Sequence, residues 1–158
     1  GYLDLSYNYL LDVQLWLRMA AIAEPQYIPG KIWSAARMHS DAKNIAHAEE
    51  FGAEAFQIAR WLGEDPRFFP LNAKIFNKIW AGAHRLNAFY LVEAGQFKPA
   101  LRSYTKMMHL APSAAKGTFK RMGFSLLGAL GVQNIPERYS RWRLKHYQSN
   151  QDKKGKDV

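Results

Sequence analysis

The spacing of apolar residues along this chain is helical over most of its length. From Leu10 to Ala23 apolar residues cover most faces of a helix, a pattern typical of a helix buried between other elements. Pro25 ends this segment because the residue before a proline is pushed out of the α region. Two short β-prone pieces follow, Gln26–Ile28 and Lys31–Ala36, separated by the turn dipeptide Pro29-Gly30.

The rest of the chain predicts further helices, each bounded by glycine or proline. They run from about Asp41 or Asn44 to Leu62, from Asn72 to Ala94, from Pro99 to Leu110, from Ala114 to Leu130 and from Pro136 to about Gln148. Gly63, Gly95 and Gly131 are the expected C-terminal stops. The predicted fold class is therefore mainly α, a helical bundle with a short β element near residues 26–36 and a disordered polar tail over 149–158.

One stretch carries a recognisable repeat signature. The segment from Ala88 to Tyr104, with Gly95 at its turn and Pro112 at its exit, resembles a tetratricopeptide-type helical hairpin. Small residues stand where two helices of such a hairpin approach each other closely. We expect the hairpin to span about residues 72–112, within a helical extension that covers residues 63–148.

Composition and charge narrow the classes of function. The chain has 158 residues and a net charge of +9. It contains no cysteine, and this excludes a disulfide scaffold, a thiolate metal site and a cysteine nucleophile. Residues 1–115 hold 12 Lys and Arg against 10 Asp and Glu, whereas residues 116–158 hold 10 against 3. The N-terminus shows no secretory pattern and no apolar run is long enough to span a bilayer, so we expect a cytoplasmic protein.

The basic end interleaves cations with aromatic rings over residues 136–147. Three interpretations stay open: a terminal helix that docks Tyr139 and Trp142 on the core, contact with an acidic membrane surface at the cytoplasmic face, or another anionic partner. No base-reading or RNA-binding motif is present, so nucleic acid is not an expected partner.

Most catalytic motifs are missing from the sequence. There is no phosphate-binding glycine loop, no HExxH and no GxSxG. Glu50 and Glu54 are like charges four residues apart, which predicts a solvated helix face rather than an acid/base pair. Asp12 lies in the first turn of an otherwise apolar helix, where the helix dipole favours its ionised form. Its residue type and position are compatible with two roles. It is a structural carboxylate or, if it faces a cleft, a proton acceptor.

Taken together, the pieces of residues 3–62 resemble the C-terminal part of family 2 glycosyltransferases with the GT-A fold. The family pattern Asp-x-x-Leu-Trp-Leu-Arg-Leu-Ala is matched by the run from Asp12 to Ala20, its Tyr-Ile-Pro strand by Tyr27-Ile28-Pro29, and its Arg-x-His element by Arg37-Met-His39. The spacing between the pieces is also kept. The order of the pieces makes the resemblance more specific than any one motif.

The resemblance implies roles for three residues. Asp12 occupies the place of the general base that deprotonates the acceptor hydroxyl during inverting transfer. Arg37 and His39 occupy the element near the donor diphosphate, and His39 could also contact the divalent metal, Mg or Mn, of the intact enzyme. A nucleotide sugar and a glycan or lipid-linked acceptor are the implied substrates.

The chain departs from the family in one major respect. It contains no Asp-x-Asp element and no β/α alternation before Asp12, which together form the donor-binding half of a GT-A enzyme. We therefore expect a C-terminal piece of a longer cell-surface glycan enzyme, inactive and without cofactor in isolation, which could dimerise through the face left exposed at residues 5–23. The alternative is a non-catalytic helical scaffold that binds a protein or peptide.

Overall fold

The computed structural model describes residues 2–28, 47–69, 73–132, 134–135, 137–139 and 141–142. Its α-helices are α1 (Leu11–Ala20), α2 (Ala48–Glu64), α3 (Ala73–Glu93), α4 (Phe97–Leu110) and α5 (Phe119–Ala129). Short 3₁₀ turns lie at Pro66–Phe68 and Pro112–Ala115, and residues 135, 137–139 and 141–142 are also helical. The described residues contain no strand, and the predicted mainly α fold is confirmed.

The predicted strand at Gln26–Ile28 is wrong. These three residues are irregular and exposed, and Tyr27 has 85% of its surface open to solvent. A strand needs a neighbour that completes its ladder of hydrogen bonds, and no described segment supplies one. The second β-prone piece, Lys31–Ala36, lies outside the described residues, as does the predicted helix start at Asp41 or Asn44.

The helix α2 does not stop at Gly63 but continues to Glu64. The residue that ends it is Asp65, whose ψ of 120° is extended because Pro66 follows it. The Asp65 side chain then accepts the backbone N–H of Arg67 and a bidentate bond from its guanidinium, which closes the turn into the next segment. Proline rather than glycine therefore sets this boundary.

The predicted helical hairpin is present as α3 and α4. Gly95 has a φ of +72°, and the amide of Gln96 donates to the carbonyl of Leu91 at 2.8 Å, which is a Schellman ending. Pro99 lies in the first turn of α4, where its missing N–H costs no helical hydrogen bond. Ala81, Ala88 and Ala100 have no exposed surface, so small residues stand where the two helices approach most closely.

The helix predicted from Ala114 is shorter than expected. Pro112–Ala115 forms a 3₁₀ turn instead of an α-helical start, and Gly117 has a φ of +85° that no right-handed helix accommodates. The helix α5 therefore begins at Phe119. Residues 143–148 of the predicted last helix and the polar tail over 149–158 lie outside the described residues.

Two apolar clusters form the core, and α3 contributes to both. The first cluster holds Tyr7 and Leu10 against α2, and the second lies between α3, α4, the Pro112–Ala115 turn and Tyr139. Between α2 and α4, Asn87 of α3 donates to the hydroxyl of Ser103 at 2.7 Å. A Cβ at Gly52 of α2 would overlap the Asn87 side chain, so the absence of a side chain at position 52 makes this arrangement possible.

Candidate functional site

Asp12, the predicted general base, is the second residue of α1 and is exposed. Its Oδ1 accepts the backbone N–H of Val13 at 2.8 Å. The carboxylate lies near Tyr90 of α3, where it adds to the effect of burial in raising the pKa of the Tyr90 hydroxyl. Asp12 is therefore open to solvent at a helix N-terminus, a position at which a carboxylate can accept a proton from an incoming group.

The segment before Asp12 is held by a carboxylate from α2. Glu54 accepts the backbone N–H groups of Asn8, Tyr9 and Leu10 at 2.7, 2.9 and 2.7 Å. The prediction that Glu54 lies on a solvated face is wrong, because only 7% of its surface is exposed. Its charge is matched by three donors at the beginning of a helix, which is a favourable place for an anion.

Arg18 fixes the other end of the same segment. Its guanidinium, near the C-terminal end of α1, donates to the carbonyl of Tyr2 at 2.6 Å. The chain from Tyr2 to Leu10 therefore lies along α1, with one contact to Arg18 and three to Glu54. These contacts give the residues next to Asp12 a defined position.

The other predicted site residues, Arg37 and His39, lie outside the described residues. The prediction that they bind a donor diphosphate, and that His39 contacts a metal, stays a prediction. Within the described part of the chain, no three His, Asp or Glu side chains are grouped closely enough to hold a metal ion.

A second candidate site, which the sequence did not predict, is a cationic cavity of about 890 Å³ beside the α3–α4 hairpin. Its charged wall consists of Arg85, Lys116, Lys120 and Arg121, and no carboxylate lines it. The aromatic wall consists of Phe89, Tyr104, Phe119 and Trp142. In the described residues none of the four cations pairs with a carboxylate within 4.0 Å.

The cations of this cavity lie against its rings. The Arg121 guanidinium lies 4.3 Å from the centre of the Phe89 ring, and the Lys120 ammonium lies 6.0 Å from that of Trp142. Tyr104 is 1% exposed, and its hydroxyl has no hydrogen-bond partner in the described structure. Burial raises the pKa of Tyr104 to about 12. The cavity thus combines uncompensated positive charge with aromatic surface, a chemistry suited to an organic anion.

A smaller and mainly apolar cavity of about 470 Å³ lies on another side of the hairpin. Trp80 and His84 of α3 line it, and the indole N–H of Trp80 and Nδ1 of His84 have no described hydrogen-bond partner. Burial, followed by the charge of Lys106, lowers the pKa of His84. Neutral histidine and apolar rings give this cavity less capacity for a charged ligand than the cationic one.

At the basic end, the described aromatic residues pack against the hairpin. The Tyr139 hydroxyl donates to Glu93 at 2.9 Å, and the rings of Tyr139 and Trp142 both contact Phe124. Burial and the Glu93 carboxylate raise the pKa of Tyr139. Both rings therefore contribute to the packing of α5 on the hairpin.

The charge excess after residue 115 was a usable signal for the cationic cavity. Lys116, Lys120 and Arg121 supply three of its cations, but Arg85 and the aromatic residues of α3 and α4 join them only through the tertiary fold.

None of the described helices combines the length and the apolar character that crossing a membrane requires. No family model, curated protein or solved structure matches this chain.

Proposed function

We propose that this chain is the acceptor-side part of an inverting, nucleotide-sugar-dependent glycosyltransferase and that Asp12 is its general base. The proposal rests on the order and spacing of the motifs in residues 3–62, and the observation that carries it in the structure is the exposed Asp12 carboxylate at the start of α1. A carboxylate with this role must be reachable by a hydroxyl group and held in a fixed place.

The proposed chemistry at Asp12 is a single proton transfer. As the acceptor oxygen attacks the anomeric carbon, its proton moves to a carboxylate oxygen of Asp12, and the bond from that carbon to the leaving diphosphate breaks. Oδ1 is engaged by the Val13 amide, which leaves Oδ2 as the oxygen that takes the proton. The carboxylate is exposed at a helix N-terminus, where an incoming hydroxyl group can reach it.

Glu54 supports this role as a positioning residue. Its three bonds to residues 8–10 fix the backbone immediately before α1, and the direction of the Asp12 side chain follows from that backbone. A catalytic group misplaced by about 1 Å can lose on the order of a hundredfold in rate. The buried carboxylate and the exposed one therefore have separate tasks, one structural and one chemical.

The test is Asp12→Asn in the complete product of the reading frame that encodes this chain, assayed for sugar transfer from a panel of nucleotide sugars. We expect turnover to fall by about 10²-fold or more, since the amide cannot accept the proton, while donor affinity stays within about twofold. Glu24→Gln is the matched control, because Glu24 is also an exposed carboxylate close to α1. It is expected to leave both values unchanged.

Turnover of the Asp12→Asn enzyme within a few-fold of wild type would contradict the proposal and make Asp12 structural. The alternative, a non-catalytic helical scaffold, predicts no transfer from any donor by the wild-type product. For the 158-residue chain by itself we expect no tight binding of a uridine-diphosphate sugar in calorimetry, because its sequence holds no Asp-x-Asp donor element.

A further inference from the structure

The helix α5 exposes an apolar stripe on one of its faces. Phe119, Leu126, Leu127 and Leu130 stand at positions i, i+7, i+8 and i+11 and expose 64%, 52%, 41% and 72% of their surfaces. The opposite face packs on the hairpin through buried Ser125 and through Gly128, which lies against Phe97. No described element covers these four side chains.

This stripe is continuous with the cationic cavity. Phe119 begins the stripe and also lines the cavity, and Lys120 follows it in the first turn of α5. Residues 116–132 include three cations and no Asp or Glu. An apolar surface and a positively charged recess therefore lie side by side on one face of the molecule.

The N-terminus of α5 adds to the positive potential of the recess. No side chain caps this helix, because the Thr118 hydroxyl donates to the carbonyl of Ala115 instead. The first-turn residues of α5 line the cavity, and the partial positive charge of a helix N-terminus favours an anion there. The unpartnered and buried Tyr104 hydroxyl in the wall is a further polar group available to an anionic ligand.

We propose that the cationic cavity and the α5 stripe together form a binding site for a membrane surface rich in anionic phospholipids. A lipid phosphate occupies the cavity among Lys116, Lys120 and Arg121, and the stripe lies at the boundary between headgroups and acyl chains. The site is distinct from the Asp12 site and does not depend on glycosyl transfer.

Charge complementarity favours this occupant over two others. A second copy of the chain would bring the basic edge of one stripe against that of another, with no acidic residue in 116–132 to pair with it. A soluble phosphate would satisfy the cations but leave the four apolar side chains in water. An anionic bilayer satisfies both surfaces at once, because it presents phosphates above an apolar interior.

The charge arm of the test is co-sedimentation of the full chain with vesicles of phosphatidylcholine with and without 30 mol% phosphatidylglycerol, a composition of roughly physiological surface charge. We expect binding to the anionic vesicles only, and a loss of about tenfold or more for the double variant Lys116→Glu/Lys120→Glu. The matched control, Lys74→Glu/Lys98→Glu, makes the same change in net charge on exposed first-turn residues of α3 and α4 and is expected to lose less than threefold. Equal losses in both variants would overturn the site.

The apolar arm uses Leu126→Gln/Leu130→Gln, with Leu5→Gln/Ile22→Gln as the control at side chains 85% and 80% exposed. We expect roughly a tenfold loss of vesicle binding for the first pair only, with unchanged circular dichroism for both. Three results would overturn the proposal: no binding to the anionic vesicles, glycerol 3-phosphate binding at the cavity without vesicle binding, or a dimer in sedimentation velocity that the α5 variant dissociates.

Discussion

The region of α1 and α2 and the region of the α3–α4 hairpin are stabilised by different means. In the first, a single buried carboxylate, Glu54, holds three backbone amides that lie 44 to 46 residues away in the sequence. In the second, fully buried alanines allow two consecutive helices to approach closely around Tyr104 and Met107. The first region therefore adds a long-range polar anchor to its apolar cluster, whereas the hairpin core is built from local apolar packing.

This difference affects the kind of candidate site that each region presents. The polar anchor leaves Asp12 exposed beside a fixed backbone, which is the arrangement a catalytic carboxylate needs. At the hairpin and the start of α5, four cations line a recess with no described carboxylate within 4.0 Å, which is the arrangement an anion site needs. Substitutions that remove the Glu54 hydrogen bonds or the buried side chains of the hairpin test whether the two regions unfold together or separately.

The largest effect is expected from Met107→Ala, which removes a fully buried side chain of α4. We expect a loss of about 3 kcal/mol in the free energy of unfolding, because the lost apolar contacts add to the cost of the cavity. Urea denaturation measures this value, and fluorine NMR of fluorotryptophan at Trp61 and Trp142 follows the two regions separately. The unfolding midpoints reported by the two tryptophan signals are expected to fall to the same urea concentration, since α3 belongs to both clusters.

The control for this variant is Met108→Ala, which shortens a neighbouring methionine that is 39% exposed. It is expected to cost about 0.5 kcal/mol or less. A Met107→Ala protein in which only the Trp142 signal shifts would show that the two regions unfold independently.

The next effect is expected from Glu54→Gln, with a loss of about 2 kcal/mol in the free energy of unfolding. The amide loses the charge of the carboxylate and presents an N–H₂ group to backbone donors in a buried place. Hydrogen exchange at Asn8, Tyr9 and Leu10 should accelerate, whereas exchange in α4 should not. Glu50→Gln, an exposed change on the same helix, is expected to have little effect, and equal effects of the two variants would contradict the anchor.

The last effect is a pH dependence that originates in the hairpin region, and it is the smallest of the three at pH 7. The pKa of Tyr104 is about 12 in the folded protein and about 10 in an unfolded chain, so from pH 10 to 12 only the unfolded chain releases this proton. Stability is therefore expected to fall by about 1.4 kcal/mol per pH unit over that interval from this residue. Tyr104→Phe should reduce the slope and stay within about 1 kcal/mol of wild type at pH 7, because the hydroxyl has no partner to lose. An unchanged slope would show that Tyr104 is not protected by burial.

The hairpin could be predicted from the sequence because its signals are local. Gly95 and Pro99 lie at the turn and in the first turn of α4, and the alanines mark the contact between the two helices. The start of α5 could not, because the helical pattern continues through Gly117 and does not reveal the positive φ that interrupts it. Local pattern therefore predicted where helices form better than where they begin.

The chemical sites were less accessible to sequence reasoning. From the sequence, Glu54 was predicted to be solvent-exposed. Its partners are backbone amides distant in the sequence, and any residue type can supply a backbone amide, so no sequence pattern identifies them. The cationic cavity is lined by residues of α3, α4 and the start of α5. Only the excess of positive charge after residue 115 could be seen in the sequence, because the other lining residues are brought together by the fold. Asp12 was predicted to be a general base from a motif resemblance, which gives a residue type and position but not the surroundings that the fold provides.

Gly52 of α2, Asn87 of α3 and Ser103 of α4 form a contact that involves all three helices. A methyl group added at position 52 would overlap the Asn87 side-chain amide, which would have to move, with no change in charge. The packing of α2 on the hairpin therefore leaves room for only a hydrogen atom at position 52 unless Asn87 moves.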